Sequence, residues 1–358
     1  MQGVRIVDLF AGPGGLDVAA DQLGIPSIGI EWDDDACATR RANGLQTIQG
    51  DVREFGPQEQ PFVGATVLAG GPPCQTYTVA GTGAGRRALD DVIALARSMA
   101  ARENVKDHVA ERLDAPTGDV RTGLVLEPLR WALEAADAGA PYRAIVLEQV
   151  PAVLPVWLEV VRVLKKEGYT ATAEVLNAEM YGVPQTRRRA VLIAWLESEG
   201  RGEARMPEPT HQGYRKGVPP VSGAAKPLPW VPMRQVITRP ERFEVVSNYG
   251  TGGDPKERGR RRYDEPSATV TGKVSRNRVV SLSGDDLDRF SNEEAGALQT
   301  FPPSFKWRGR NIAQQIGNAI PPRLAKHVLA TALGLALHPE NTEVIGTVEP
   351  RPVQEMLG

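Results

Sequence analysis

The chain has 358 residues, 41% of them hydrophobic and 24% charged, and a formal net charge of −2. Such a composition excludes collagen-like and wholly disordered chains, and the length suits about two domains. No apolar run approaches the roughly 20 residues that span a bilayer, and the N-terminus lacks the zones of a secretory signal.

Two cysteines, Cys37 and Cys74, and four histidines build neither a disulfide framework nor a metal site. A cytoplasmic monomer without membrane or metal partners is the expectation. The small net charge hides a segregation. Residues 1–80 carry four Lys/Arg against ten Asp/Glu, whereas residues 201–280 carry sixteen against eight. One region therefore suits a small ligand and the other a polyanion, although a basic run can also be a solvated loop.

In chain order, Val4–Phe10 reads as a strand that ends in the glycine turn Gly12-Pro13-Gly14-Gly15, and Leu16–Leu23 as a helix that stops at Gly24. Ser27–Glu31 is a second strand, followed by a helix through residues 36–42. Leu45–Ile48 is a third strand and Ala65–Ala69 a fourth, which ends at Gly70-Gly71-Pro72-Pro73-Cys74. Tyr142–Leu147 is a fifth, ending at Glu148; Thr170–Leu176 and Ala190–Trp195 come after it. Buried strands with helical connections predict an α/β fold, a Rossmann-like, mostly parallel sheet covered on both faces. After Leu196 prolines accumulate and helical periodicity fades. The expected division is a first part of a cofactor-binding domain at 1–196, a smaller irregular domain at 197–312, a returning segment at 313–337 that includes a helix over Arg323–Leu337, and a loose tail at 338–358.

Ligands of open parallel sheets bind at the carboxyl ends of the strands. There the glycine turn offers backbone N–H groups. Glu31 stands where a carboxylate binds a ribose diol, Trp32 offers an indole to an adenine face, and Asp51 an acceptor to its amine. No phosphate-binding lysine follows the glycines, so the pattern favours a phosphate-free adenosine cofactor. The alternative is that the glycines only make a turn and the two carboxylates cap helices. Cys74 sits on a stiff Gly-Gly-Pro-Pro turn, which suits a held nucleophile, whereas Cys37 inside a helix suits the core. Glu148 suits acid work or hydrogen bonding to a heterocycle. In Gln185-Thr186-Arg187-Arg188-Arg189, alternate residues Arg187 and Arg189 share one side of an extended segment, so both guanidiniums are expected to aim at one place.

With these residues in order, the chain resembles the DNA (cytosine-5) methyltransferase family. Asp8-Leu9-Phe10-Ala11-Gly12-Pro13-Gly14-Gly15 is similar to its cofactor turn, Gly71-Pro72-Pro73-Cys74-Gln75 to its nucleophile loop, Glu148-Gln149-Val150 to its Glu-Asn-Val motif, and Gln185–Arg189 to its Gln-x-Arg-x-Arg segment. Arg262–Thr271 is similar to the segment that supports the recognition domain, and Gln315-Ile316-Gly317-Asn318-Ala319-Ile320-Pro321-Pro322 to the last motif, which returns to the cofactor pocket.

The resemblance implies an S-adenosylmethionine-dependent methyltransferase fold with a target-recognition domain. It implies methyl transfer to C5 of a flipped cytosine in a short sequence of double-stranded DNA through a Cys74–C6 adduct, the activity of a DNA (cytosine-5-)-methyltransferase. Cys74, Glu148, Arg187 and Arg189 would be catalytic. Asp8, Phe10, Ala11, Gly12, Gly14, Gly15, Leu16, Glu31, Trp32, Asp51, Val52, Gly71, Pro72, Pro73, Asn318 and Ala319 would line the cofactor site. Gln75, Tyr77, Thr78, Arg260, Arg261, Arg262 and Thr271 would meet DNA. A prokaryotic or phage modification enzyme is expected, with room for a companion restriction endonuclease that need not touch it.

The chain departs from the family pattern at Gln149, where asparagine is usual, and at Tyr77-Thr78, which replace Phe-Ser. An insertion of about 30 residues is expected around 86–119. A tRNA cytosine-5 methyltransferase is the alternative on the same scaffold, but the Cys-Phe-Thr tripeptide of that branch is absent. A non-catalytic DNA-binding relative would be expected to lose Cys74 or Glu148, and a cysteine-dependent oxidoreductase to carry a resolving cysteine.

Overall fold

The chain begins its first strand with Ile6–Leu9 (β1), four residues that are all buried; three are apolar, as suits a parallel strand covered on both faces, and the other is Asp8. The computed structural model describes residues 3–73, 83–103, 120–221, 223, 227–247 and 258–337. Cys74, Gln75, Tyr77 and Thr78, residues 104–119 of the expected insertion, and the tail from 338 lie outside the described residues. Contacts divide the chain into two units: Met1–Leu176, Arg188–Glu208 and Ala325–Ala336 form one, and Asn177–Arg187, Pro209–Leu324 and Leu337–Gly358 the other. The change of unit thus falls at 208/209 rather than 196/197, and the segment 177–187 belongs with the second unit.

In the first unit, Ser27–Glu31 (β2), Thr47–Gln49 (β3), Val67–Gly70 (β4), Ala144–Gln149 (β5), Tyr169–Asn177 (β6) and Arg188–Leu196 (β8) join β1 in one sheet of order β3-β2-β1-β4-β5-β8-β6. β1 pairs in parallel with β2 and β4, β2 with β3, and β4 with β5, whereas β8 runs antiparallel to β5. The sheet is mostly parallel, as its apolar strands imply. β1 is shorter than expected because Phe10 already lies in the left-handed region, at φ 59°, which ends a strand.

The helices follow their local signals. Gly15–Gln22 (α1) starts from Gly14 in the left-handed region at φ 105°. Asp34–Ala42 (α2) is capped by Asp33, whose carboxylate accepts from the Ala36 N–H at 2.8 Å, with acids in its first turn and Arg40 and Arg41 in its last. Gly83–Ala100 (α3) enters the stretch expected as an insertion at 86–119 and makes its first part a helix. Val92, Leu95, Ala96 and Met99 are buried in the main core, and Arg97 pairs with Glu159 on Leu154–Lys166 (α5) at 2.9 Å. That spacing is the apolar stripe of a packed helix. Glu127–Asp137 (α4) buries Leu129, Trp131 and Leu133 in the same core.

The second unit is less irregular than its proline content suggests. Phe243–Val246 (β9), Arg260–Arg262 (β10), Arg278–Ser281 (β12) and Asp286–Leu287 (β13) form an antiparallel sheet of order β10-β9-β12-β13. Gln185–Thr186 (β7) pairs in parallel with Ser267–Ala268 (β11). Strands of two to four residues between turn residues leave too short an alternation to register in the sequence. Asn292–Leu298 (α6) opens with a Ser291/Glu294 capping box and is followed by Ile312–Asn318 (α7), whereas Pro322–Leu333 (α8) belongs from Ala325 onward to the first unit. Among the described residues no helix is long and apolar enough to cross a membrane.

Candidate active site

Register brings the chemistry-bearing residues to one edge of the sheet. Leu9 is aligned with Ile30 and Gly70, Gly70 with Leu147, and Glu31 with Gln49. The segments at the strand ends therefore emerge side by side: Phe10–Gly15, Trp32, Gly50-Asp51, Gly71-Pro72-Pro73 and Glu148-Gln149. The strand order reverses between β1 and β4, so Phe10 and Gly71 flank the switch point where an open α/β sheet leaves a crevice.

Glu31 anchors the turn. Its Oε2 accepts from the Gly12 N–H at 2.7 Å, and its Oε1 from the Trp32 and Asp33 N–H groups at 2.9 and 2.8 Å. Burial pushes the carboxyl up from its ordinary value, and the three backbone bonds act in the opposite direction. A carboxylate has about four acceptor positions, so one remains for a hydroxyl donor. Trp32 is 74% exposed, which leaves an indole face open for stacking. A Cβ on Gly12, at φ +54°, would meet nothing within 4 Å among the described residues, which leave space beside the turn.

Three expected cofactor residues lie deeper than expected. Asp8 is buried, and neither of its carboxylate oxygens has a hydrogen-bond partner among the described residues. Burial, then the charge of Asp17, holds its carboxyl well above the usual carboxylate range. The Arg40 charge acts on it in the opposite direction. Leu16 and Val52 are buried too, and Val52 packs into the main core. Asp51 caps residues 52–54 through the Arg53 N–H at 2.9 Å and pairs with the Arg53 guanidinium at 2.5 Å, which lowers its carboxyl. The capping alternative raised by the sequence thus holds for Asp51, whereas the cap of α2 is Asp33 rather than Glu31.

On the other side of the switch point, Glu148 is almost buried, and the Arg189 Nε lies 2.6 Å from its Oε1. A Cβ on Gly71 would stand 3.7 Å from the Glu148 Oε2, so the loop runs beside this carboxylate. The Gln149 amide donates to the Pro72 carbonyl, and its oxygen accepts from the Val150 N–H. Gln149 thereby ties β5 to the residues that lead into Cys74. Cys37 is buried in α2, with its thiol pushed up to about 11 by burial.

Arg187 does not join Arg189, because the extended segment breaks between β7 and β8. Arg187 is fully buried in the second unit and donates to the carbonyls of Val270 at 2.8 Å, Gly317 at 2.9 Å and Ala319 at 3.0 Å. Its part is to hold those backbones together rather than to reach a reactant. Asn318 is exposed and accepts from the Gln314 amide at 2.9 Å, and the Thr271 hydroxyl accepts from the Lys273 N–H at 3.2 Å. Arg260 pairs with Glu244 at 2.5 Å, Arg262 with Asp264 at 3.3 Å, and Arg261 lies over the Tyr214 ring at 4.8 Å. The basic run is thus partly matched within its own unit.

Sequence reasoning missed the Asp17–Arg40 ion pair and the Gln185–Gln299 contact of 2.7 Å. The first had a signal: Arg40 follows Cys37 by three positions, on the buried face of an amphipathic helix.

The family model for C-5 cytosine-specific DNA methylase matches residues 4–92 and 143–333. The type II methyltransferase M1.HphI of Haemophilus parahaemolyticus is 28% identical over 366 residues, covering 91% of this chain and 86% of that protein. M.Sau96I of Staphylococcus aureus is 27% identical over 352 residues, covering 90% of this chain and 74% of that one. Among solved structures, a Spodoptera frugiperda DNMT2 mutant matches with a TM-score of 0.59 at 13% identity, covering 92% of this chain and 99% of that one. Dnmt2 of S. pombe matches at 0.56 and 15%, covering 92% and 98%. These two share the fold. With a strand-end site of this kind and a family match over most of its length, the chain belongs to the C-5 cytosine-specific DNA methylases, whose methyl donor is S-adenosylmethionine.

Proposed function

We propose that this chain methylates C5 of a cytosine extruded from a short specific sequence of double-stranded DNA, with Cys74 as nucleophile. The observation that carries the reading is the convergence, on adjacent in-register strands, of the Phe10–Gly15 turn, the Gly71–Pro73 segment preceding Cys74, and Glu148 paired with Arg189. The residues fit an adenosine without phosphates. The space beside Gly12 is open, Glu31 keeps an acceptor position for the ribose, and Trp32 presents its indole, with Asp51 and Phe10 on the same edge.

Cytosine C5 is a poor nucleophile. The Cys74 thiolate would add at C6, and the electron pair of the C5–C6 double bond would pass to C5. Glu148, held by Arg189, would hydrogen-bond N3 and deliver a proton there as negative charge builds in the ring. When bound, S-adenosylmethionine supplies an electrophilic methyl group to the activated carbon. Removal of the C5 proton would then return its electron pair to the ring and expel Cys74 as the thiolate, while the N3 proton returns to Glu148. A base inside a duplex cannot enter such a site, so it must leave the stack, at a cost of a few kcal/mol recovered in contacts with the protein. In the second unit Arg260, Arg261, Arg262 and Thr271 would supply phosphate and base contacts.

Bisulfite sequencing of DNA from cells expressing the protein, with duplex DNA and tRNA compared as substrates in vitro, tests this reading. Methylation of duplex DNA within one short context is expected. No DNA methylation, or methylation of tRNA alone, would overturn it. Cys74→Ser should bind DNA and cofactor without turnover, and duplex DNA carrying 5-fluorocytosine should trap the wild-type protein covalently.

A further inference from the structure

The turn after β1 is held from below by an ion pair on which no sequence motif draws. Arg40 in the last turn of α2 and Asp17 on α1 are both fully buried, at 0% side-chain exposure, with Nη1 2.6 Å from Oδ2. All three guanidinium nitrogens are used. Nη1 also makes a long contact of 3.5 Å to the Ala11 carbonyl, Nη2 donates to the Gln46 carbonyl at 3.0 Å, and Nε to the Thr47 hydroxyl at 3.0 Å. The second Asp17 oxygen accepts from the Ser27 hydroxyl at 2.8 Å.

Two glycines leave room for this side chain. A Cβ on Gly29 would fall 2.1 Å from Nη2, and one on Gly14 would fall 3.3 Å from Nη1 and 2.3 Å from a Leu45 methyl. The Ala11 carbonyl that Nη1 approaches also accepts from the Gly14 N–H at 3.0 Å. On the opposite side of the turn, Glu31 holds the Gly12 N–H. The loop is therefore gripped between a cation beneath and a carboxylate beside it.

A buried ion pair is an inefficient stabiliser, because desolvating two charges offsets most of their attraction, and apolar residues of similar volume do as well. What a planar guanidinium adds is direction: it fixes several acceptors at once. We propose that Asp17 and Arg40 are positioning residues for the cofactor turn, holding the Ala11–Gly14 backbone in the shape that receives adenosine without touching the ligand. This rests on the assignment of that turn under the proposed function. Their loss should act on S-adenosylmethionine binding and leave DNA binding alone.

The test compares wild type, Arg40→Lys and the double variant Asp17→Asn/Arg40→Gln. The readouts are S-adenosylmethionine affinity by calorimetry, amide hydrogen exchange at residues 11–15 in the ligand-free protein, DNA affinity by anisotropy, and the thermal midpoint. The double variant should bind S-adenosylmethionine about tenfold more weakly, about 1.4 kcal/mol, and exchange the Gly12 and Gly14 amides faster, with DNA affinity unchanged. Arg40→Lys should fall between, because an ammonium reaches Asp17 but cannot also serve Thr47 and Gln46.

A folded double variant with wild-type cofactor affinity and exchange would overturn the proposal. So would parallel losses of cofactor and DNA binding that track the thermal midpoint. Should the double variant not fold, Arg40→Lys decides alone by the same two criteria. Wild-type protein that binds no S-adenosylmethionine would instead defeat the assignment of the turn.

Discussion

Replacing Gln149 by alanine isolates the bond that holds the Pro72 carbonyl. The Gln149 side chain is buried, donates to that carbonyl and accepts from the Val150 N–H. Alanine removes both bonds. Water can replace the partner of the half-buried Val150 N–H, but Pro72 is buried and its carbonyl is stranded. A stranded buried acceptor costs about 1–3 kcal/mol. If that cost falls on the ordered form of the segment entering Cys74, turnover drops between about fivefold and 150-fold. Asparagine, shorter by one methylene, cannot span both partners and should lie between wild type and alanine. Single-turnover methyl transfer at saturating DNA and cofactor measures the loss, with the rate of 5-fluorocytosine adduct formation as a second clock. Cofactor affinity should not move, because the Glu31 and Gly12 bonds are untouched. A wild-type single-turnover rate in Gln149→Ala would refute the reasoning, whatever happened to the denaturation midpoint.

Glu31→Ala releases three backbone N–H groups and should weaken S-adenosylmethionine binding by about tenfold or more, with DNA affinity held within about twofold; calorimetry and anisotropy read the two, and equal losses would contradict the assignment. His211 is buried beside Arg323, and burial first, then that charge, pulls its pKa down to about 4. Between its ordinary value of 6.5 and 4 the unfolded chain binds a proton that the folded chain refuses, so stability is complete above 6.5 and is lost as pH falls through that window, by up to about 3 kcal/mol. Denaturant titrations at pH 7 and pH 4 should show this loss in wild type and a smaller one in His211→Gln. Neutralising Arg260 and Arg262 should reduce the slope of log affinity for DNA against log salt by roughly 0.9 for each phosphate no longer neutralised, and an unchanged slope would place both side chains away from DNA.

What the sequence disclosed came from backbone demands. Strands buried on both faces must be mostly apolar, so β1, β2, β4 and β5 could be placed, and a glycine turn can follow only where a strand stops. The strand-end rule then gave Glu31, Gly71 and Glu148 without any knowledge of partners. Residues whose role depends on a distant partner stayed hidden. Arg187 looked like a companion of Arg189, because the alternation argument assumes one unbroken strand, whereas its guanidinium serves carbonyls at 270, 317 and 319. Asp8 looked like a ligand contact because motif position says nothing of depth, and its side chain is buried. The stripe of Val92, Leu95, Ala96 and Met99, inside the expected insertion, was not read as core because its partners on other elements are far away in sequence.

Charge counting carries less detail than the fold. Sixteen basic residues against eight acidic ones in 201–280 suggested a region suited to a polyanion, and the fold pairs part of that excess with acids that follow it in the chain. Arg239 pairs with Glu294 at 2.7 Å and Arg278 with Asp286 at 2.7 Å, both acids lying beyond the counted window. Over 201–300 the balance is seventeen basic residues against thirteen acidic, half the apparent excess. The remaining pairs differ in how firmly they are held. Arg239 and Glu294 are largely buried, so their charges are committed, whereas Arg260 and Arg262 are about half exposed. An exposed pair is worth at most about 1 kcal/mol, so a phosphate can displace Glu244 or Asp264 at little cost. The pairing of β10 thus keeps its arginines extended in the free protein and still leaves them open to a polyanion, as a surface that must release one anionic partner to take another requires.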